Sequence, residues 1–302
     1  MRKINLLSSL IVVGGLLAQS PATQAQLPLG SHYPNGAEGL NGANLPPPGV
    51  YLKDYNFFYT ADAVDGLPLD MDVFAYVQAP RLIWITDKKV LGANYGADIL
   101  VPFFEKSVSS KQLGSRNKFG LGDIHVEPAV LSWHLDKFDL AAGYAFWAPS
   151  GDFTAGTKAQ PLNALVSPGN GYWGHMLTLG GVWHPDAEKS WSISLLNRYE
   201  INMKQDQTHI TPGNMWTLEW GVGKSVAKGV DVGLAGYVQQ QVTRDHGAGA
   251  TRSESHILGL GPEVSVFCPK LKVFTSLRYI YEFEAKDRPY GHLVALTLTK
   301  PF

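Results

Sequence analysis

The chain has one cysteine, Cys268, and therefore no second thiol with which to close an intrachain disulfide. In an exported protein a lone thiol is more often a small buried hydrophobe than a reactive group. Charge is scarce too. Asp, Glu, Lys and Arg make up 17% of the residues, below the roughly one quarter of an ordinary soluble domain. They nearly cancel, to a net charge of −1, so no global field points to nucleic acid. Past the amino-terminal leader, no stretch reaches the ~18 consecutive apolar residues of a membrane-spanning helix, which argues against a helical membrane protein. A phosphate-binding loop and a dinucleotide fingerprint are missing. The nearest glycine pair, Gly120-Leu121-Gly122, falls inside a predicted strand with no helix after it. His125 and Glu127 form an H-x-E, but no further His or Cys stands at metal-ligand spacing. No cofactor and no nucleic-acid partner are implied.

Both ends of the chain carry signals. Arg2 and Lys3 precede the apolar run from Leu6 to Leu17, and the small residues Ala22, Thr23 and Ala25 follow. This pattern predicts a secretory signal peptide over residues 1–25, cleaved after Ala25. At the other end, Val294, Leu296, Leu298 and Phe302 share one face of a strand, with Ala295, Thr297 and Thr299 on the other. That alternation suits lipid on one side and a polar lumen on the other. The terminal Phe302 resembles the insertion signal of bacterial outer-membrane barrels, which implies the barrel-assembly machinery as a partner.

Counting back from Phe302, predicted strands cover 289–302, 271–283, 253–267, 230–243, 214–227, 189–200, 174–184, 137–148, 119–133, 91–106, 73–86 and 49–60. The reading is an all-β fold, a closed antiparallel transmembrane barrel of about twelve strands over residues 49–302, with membrane lipid as its surroundings. Connections alternate in length. Short ones at 268–270, 227–229, 184–188, 135–136 and 87–89 fall on one side. Longer ones at 244–252, 201–213, 149–173, 107–118 and 61–72 fall on the other, with 284–288 as the short exception. Strands of about ten residues or more are longer than the usual 5–6 of a sandwich and match a tilted membrane strand. Period-two alternation recurs within them. Leu277, Tyr279 and Tyr281 oppose Ser276, Arg278 and Glu282, and Ile193 and Leu195 oppose Ser194 and Arg198. Ile124, Val126 and Val130 oppose Asp123, His125 and Glu127. Trp84, Trp183 and Trp191 near one rim and Trp147, Trp173 and Trp216 near the other suggest two aromatic girdles.

Several segments together resemble an outer-membrane family associated with the meta-pathway of phenol degradation. They are Glu38-Gly39-Leu40, Leu45-Pro46-Pro47-Pro48-Gly49, Tyr55-Asn56-Phe57-Phe58-Tyr59, Ala79-Pro80-Arg81-Leu82, Leu91-Gly92-Ala93-Asn94-Tyr95-Gly96 and Gly120-Leu121-Gly122-Asp123-Ile124. Pro128 and Trp133 follow. The likeness spans most of the mature chain and is densest before residue 135. It implies a transport-type barrel of the bacterial outer membrane, a passive channel or facilitator linked to catabolism of aromatic compounds. The expected solute is small and aromatic or hydrophobic. No binding residues are carried over from the family.

Candidate site residues follow from the faces. Arg81, Asp98, Asp123, Glu127, Arg198, Glu219, Glu263, Arg278 and Glu282 are expected to line the lumen, with Asp54 beside them. Two readings fit them: salt bridges that fill space, or a lining that selects solutes through its arginines. Residues 26–48 lack alternation and are rich in Gly, Asn and Pro, so they form no strand. Either they are a disordered tail, or they fold into the lumen as a plug carried by Tyr33, Asn35, Glu38, Asn41 and Asn44. Loop 149–173 is either an inward constriction or a surface loop. Two other classes of function remain beside the channel. A lipid-acting barrel enzyme would need a nucleophile near His256, where only Ser255 and its neighbours stand without a nucleophile motif. A structural or adhesive barrel would use its outer loops.

Overall fold

The computed structural model describes residues 31–66, 70–157, 159–251 and 254–302. The leader, residues 26–30 included, lies outside the described residues. Fourteen strand segments follow one another: β1 Gly49–Val64, β2 Met71–Val90, β3 Ala93–Leu100, β4 Phe103–Ser110, β5 Gly114–Leu121, β6 Ile124–His134, β7 Phe138–Ala148, β8 Gly174–Trp183, β9 Trp191–Asn202, β10 Met215–Ala227, β11 Val230–Gln241, β12 His256–Cys268, β13 Val273–Lys286 and β14 Pro289–Pro301. All pairings are antiparallel, and β1 bonds to both β14 and β2, which closes the ring. Twelve strands make that ring. β4 and β5 are an extension of it: β4 continues the line of β3 after Val101-Pro102 and pairs with the outer half of β2, and β5 returns into β6 through Gly122-Asp123. Closure is what a barrel in lipid requires, because every main-chain N–H and C=O in hydrocarbon needs a partner.

The break between β3/β6 and β4/β5 has a clear local cause. Pro102 cannot donate to the ladder. The main-chain groups around it find other partners: Val101 N donates to Pro80 O at 3.1 Å, and Gly122 N to Pro102 O at 2.8 Å. Among the described residues, β5 has β4 as its only strand neighbour. Its other edge is met by loop 149–173, whose Asp152 N donates to Leu121 O at 3.1 Å. A four-residue helix in that loop, Asn163–Val166, carries Leu162 and Val166 into a small cluster with Val64, Met71 and Val108. The loop therefore packs over one end of the barrel.

Outward positions are apolar along the ring, with Leu82 on β2, Leu179 on β8, Leu195 on β9, Leu234 on β11 and Leu277 on β13 all exposed. Trp84, Trp183 and Trp191 are exposed near one rim and Trp173 near the other. Inward positions hold both the charged residues and an apolar cluster that includes Tyr55, Phe57, Ala145, Met176, Tyr237 and Ile280.

Five expectations are corrected by this arrangement. Asp54 faces outward, because Tyr51, Lys53, Tyr55 and Phe57 take the inward parity of β1; it accepts from Asn56 Nδ2 at 3.1 Å on that outer face. Val130 points inward on the same side as Glu127, because the β6 register shifts against both neighbours around Glu127-Pro128. A bulge adds one residue and resets the alternation. Trp147 is 5% exposed and belongs to the lumen, not to an outer girdle. Residues 87–89 are strand: β2 runs on to Val90, and the turn is Leu91-Gly92, both with positive φ (53° and 81°), as a tight hairpin requires. Most of 107–118 is also strand: β4 and β5 pair as a hairpin from Phe103 opposite Leu121 to Ser110 opposite Gly114, and only Lys111-Gln112-Leu113 form the turn.

Leu179 is 64% exposed near the middle of β8. Leu179→Arg is expected to cost about 2–4 kcal/mol of folding free energy in lipid vesicles, read from urea titrations. An unchanged midpoint would contradict an outward, lipid-facing Leu179.

Candidate functional site

A coil inside a barrel brings its own main-chain donors and acceptors, and each needs a partner. Residues 31–48 run through the lumen before β1 starts, and carboxylates of the wall meet them in order. Glu200 on β9 accepts from Ser31 Oγ, from His32 N at 3.1 Å and from Tyr33 N at 3.4 Å. Glu219 on β10 accepts from Ala37 N at 3.1 Å, Glu38 N at 2.9 Å and the Tyr33 hydroxyl. Glu263 on β12 accepts from Leu40 N at 2.9 Å, and Arg278 on β13 donates to Ala37 O at 3.0 Å and to Glu263 at 2.8 Å.

Two glycines make the close approach possible. Gly39 has φ +68°, and a Cβ there would lie 1.7 Å from Arg278 Nη1. Gly221 on β10 leaves room for Leu40, whose Cα would stand 2.7 Å from a Cβ at that position. Leu40 itself is 1% exposed.

Glu38 is the centre of the arrangement. Its carboxylate takes Arg81 Nη1 at 3.1 Å, the Tyr55 hydroxyl at 2.9 Å and Lys53 Nζ at 2.5 Å, with Arg198 Nη2 at 3.7 Å. Burial alone would raise its pKa, but Lys53, Arg81 and Arg198 outweigh burial and hold it well below the usual carboxylate range. Arg81 also binds Asp98 at 2.6 Å and Glu127 at 2.9 Å. The Arg198 guanidinium lies over the Tyr33 ring, 4.1 Å from its centroid.

At the outer end of the segment, His32 Nδ1 stands 2.6 Å from Glu200, and its Nε2 stands 3.3 Å from Asp123. Trp147 stacks on its ring and Tyr172 meets it edge-on, at 5.7 Å and 4.5 Å between centroids. Asp123, at the β5–β6 break, accepts in addition from Gly151 N and Asn170 N of the long loop. His32 thus joins the segment, the wall and the loop.

Two cavities lie on either side of this layer. The outer one is about 190 Å³, walled by Phe57, Leu100, Phe104, Trp147, Pro168 and Met176 among others. The inner one is about 910 Å³ and opens around Asn41, Asn44, Pro47, Tyr51, Ser276 and Thr299. Ala37, Glu38, Arg81 and Arg198 border both, so the Glu38 layer is the partition between them.

The nine lumen residues expected from the sequence all have buried side chains inside the ring. Arg81, Asp98, Glu127 and Arg198 converge on Glu38 or its partners, and Glu219, Glu263 and Arg278 hold residues 37–40. Asp123 stands apart, at the outer end. Glu282 stands apart as well, accepting from Tyr59 and Tyr237 hydroxyls at 2.8 and 2.6 Å. Of the segment residues, Tyr33 and Glu38 make the contacts above. Asn41 and Asn44 border the inner cavity, with Asn44 N bonded to Asn41 O at 2.9 Å. Asn35 is only half-buried, but its buried Oδ1 has no protein partner. Phe302 is 77% exposed, and its N–H donates to Val50 O at 3.0 Å. Sequence reasoning missed His32, Lys53 and Lys106, and placed Trp147 in a girdle instead of the lumen. Inward parity on β1 was the available signal for Lys53. Among the described residues, no group of three or more His, Cys, Asp or Glu is arranged to hold a metal ion.

The profile of the family described as "Putative MetA-pathway of phenol degradation" matches residues 56–298. Among solved structures, an outer-membrane channel from Pseudomonas putida F1 is similar at 16% identity and a TM-score of 0.72, covering 87% of this chain and 98% of that one. The β domain of the Bordetella autotransporter BrkA is similar at 12% identity and a TM-score of 0.51, covering 84% and 99%. These likenesses concern the fold. None of the curated proteins matches the chain in sequence.

An unfolded histidine titrates near 6.5. For His32, burial opposes the charged ring, but Glu200 and Asp123 outweigh burial and lift its pKa to about 9. Stabilisation from the protonated ring is therefore whole below about pH 6.5 and is lost as pH rises through about 9. Protease resistance of the segment in the refolded barrel is expected to fall across that window, and His32→Gln to abolish the pH dependence. A flat wild-type profile would contradict the His32 clamp.

Proposed function

The chain belongs to this phenol-degradation family of outer-membrane barrels, and from that premise we propose that it is a passive facilitator for small aromatic or other hydrophobic solutes, with residues 31–48 as its internal gate. The carrying observation is the partition: an outer cavity walled by aromatic and aliphatic side chains is separated from a larger inner cavity by the Glu38 layer. Small-molecule sites are mostly apolar with a few fixed polar groups, and the outer cavity has that character.

The lumen arginines act on the segment rather than on the solute. Arg81 and Arg278 are each engaged by carboxylates, and Arg198 by Glu38 and Tyr33. Removing one partner of a buried pair costs ~3–5 kcal/mol. Such a network favours one position of the segment over a loose tail, and a solute crosses only when that position gives way. Catalysis is disfavoured on geometry. Ser255 is buried and bonds to Gln241, whereas its neighbour His256 is only partly buried and stands 3.4 Å from the exposed Glu284, so the two form no nucleophile–base pair. Asp98 and His125 approach to 3.5 Å, but both are enclosed by the Arg81 network.

Single-channel recording of the refolded mature barrel tests the gate. The intact protein is expected to give small or rare steps, and a deletion of residues 26–48 to give frequent steps of several-fold higher conductance. Equal conductance in the two would remove the gate from the proposal.

A further inference from the structure

We propose that the outer cavity carries a subsite for an anionic group, with Lys106 as its cation, so that the preferred solute is a single aromatic ring bearing a carboxylate. This rests on the reading of that cavity as the solute site.

The body of the ligand follows from size. The cavity is about 190 Å³, and an apolar cavity of ~150 Å³ accommodates benzene. One ring with one small substituent matches that volume. Phe57, Phe104, Trp147 and Met176 provide its apolar walls.

The charge follows from what the other ionic groups around the cavity already hold. Arg81 and Arg198 face Glu38, and Arg81 also holds Asp98 and Glu127. Both wall carboxylates are filled as well: Glu38 by Lys53, Arg81 and Tyr55, and Asp123 by His32, Gly151 N and Asn170 N. Lys106 differs. Its ammonium donates to one neutral acceptor, Ser167 O, at 2.7 Å, and lies 4.7 Å from the Phe104 ring centroid. Among the described residues no carboxylate stands within ion-pair distance of it. An ammonium has three donors, so two remain.

The register adds to the demand for an anion. Lys106 on β4 stands directly opposite Lys118 on β5, and like charges in that position repel. Lys118 has Asp152 at 2.8 Å; among the described residues Lys106 has no carboxylate within ion-pair distance, and Asp123, already filled by His32, Gly151 N and Asn170 N, acts on it only from beyond that range. A carboxylate entering the cavity with its ring against Phe104 and Trp147 supplies the missing charge and accepts the two free donors.

Binding of benzoate and of benzyl alcohol, matched in ring and differing in charge, tests this by calorimetry on the refolded mature barrel. Benzoate is expected to bind about 10-fold more tightly, as a charge-assisted hydrogen bond provides. Lys106→Met is expected to abolish that preference while leaving benzyl alcohol within about 2-fold, and Lys106→Arg to retain it. Lys118→Met is expected to keep the preference. Equal affinity for the two ligands in the wild type, or a preference that survives Lys106→Met, overturns the subsite and leaves the cavity standing. If neither ligand binds the wild type, the cavity as solute site falls, and the subsite with it.

Discussion

The main chain of residues 31–40 is held by carboxylates of the barrel wall, and the rest of the site depends on that. Glu200, Glu219 and Glu263 accept N–H groups of His32, Ala37, Glu38 and Leu40. A segment inside a narrow lumen whose one regular element is the 3-10 turn Gly39–Asn41 satisfies few of its own donors, and an unpaired buried group is costly. The wall therefore presents acceptors at the heights where the segment presents donors. Those acceptors are charged, so cations must balance them. Arg278 beside Glu263, and Arg198 near Glu38 and Tyr33, follow from that need.

Charge alternates outward from the segment. Glu38 brings a carboxylate of its own to Lys53, Arg81 and Arg198, and Arg81 passes the charge on to Asp98 and Glu127. Buried ion pairs add little net stability, because desolvation offsets attraction, but breaking one is expensive. They define where the segment sits better than they stabilise the barrel. The barrel itself rests on its closed ladder of hydrogen bonds and on lipid around its apolar exterior.

Much of this was legible in the sequence. The twelve strands of the ring stood out because period-two alternation, strand length and alternating loop length agree. Lumen charges such as Arg278 and Glu282 stood out because they sit between exposed apolar neighbours, Leu277 and Tyr279 for the first and Tyr281 and Phe283 for the second. Alternation fails where the pleat is interrupted. The register shift at Glu127-Pro128 puts Val130 inside with Glu127. On β1, both faces are mixed: Asp54 and Asn56 stand outward and Tyr55 and Phe57 inward, so polarity alone misplaces Asp54. Trp147 has the position of a girdle residue along β7 and the parity of a lumen residue, and parity decides. The partners of Glu38 were not legible at all. Lys53, Arg81 and Arg198 come from three strands and meet only once the ring has closed.

Amide hydrogen exchange in the refolded mature barrel addresses the central claim most directly, at Ala37, Glu38 and Leu40. If buried wall carboxylates hold these groups, their exchange is slowed to rates close to those of the flanking strands. Exchange as fast as in an unstructured peptide, with the strands themselves protected, would contradict a segment held in the lumen.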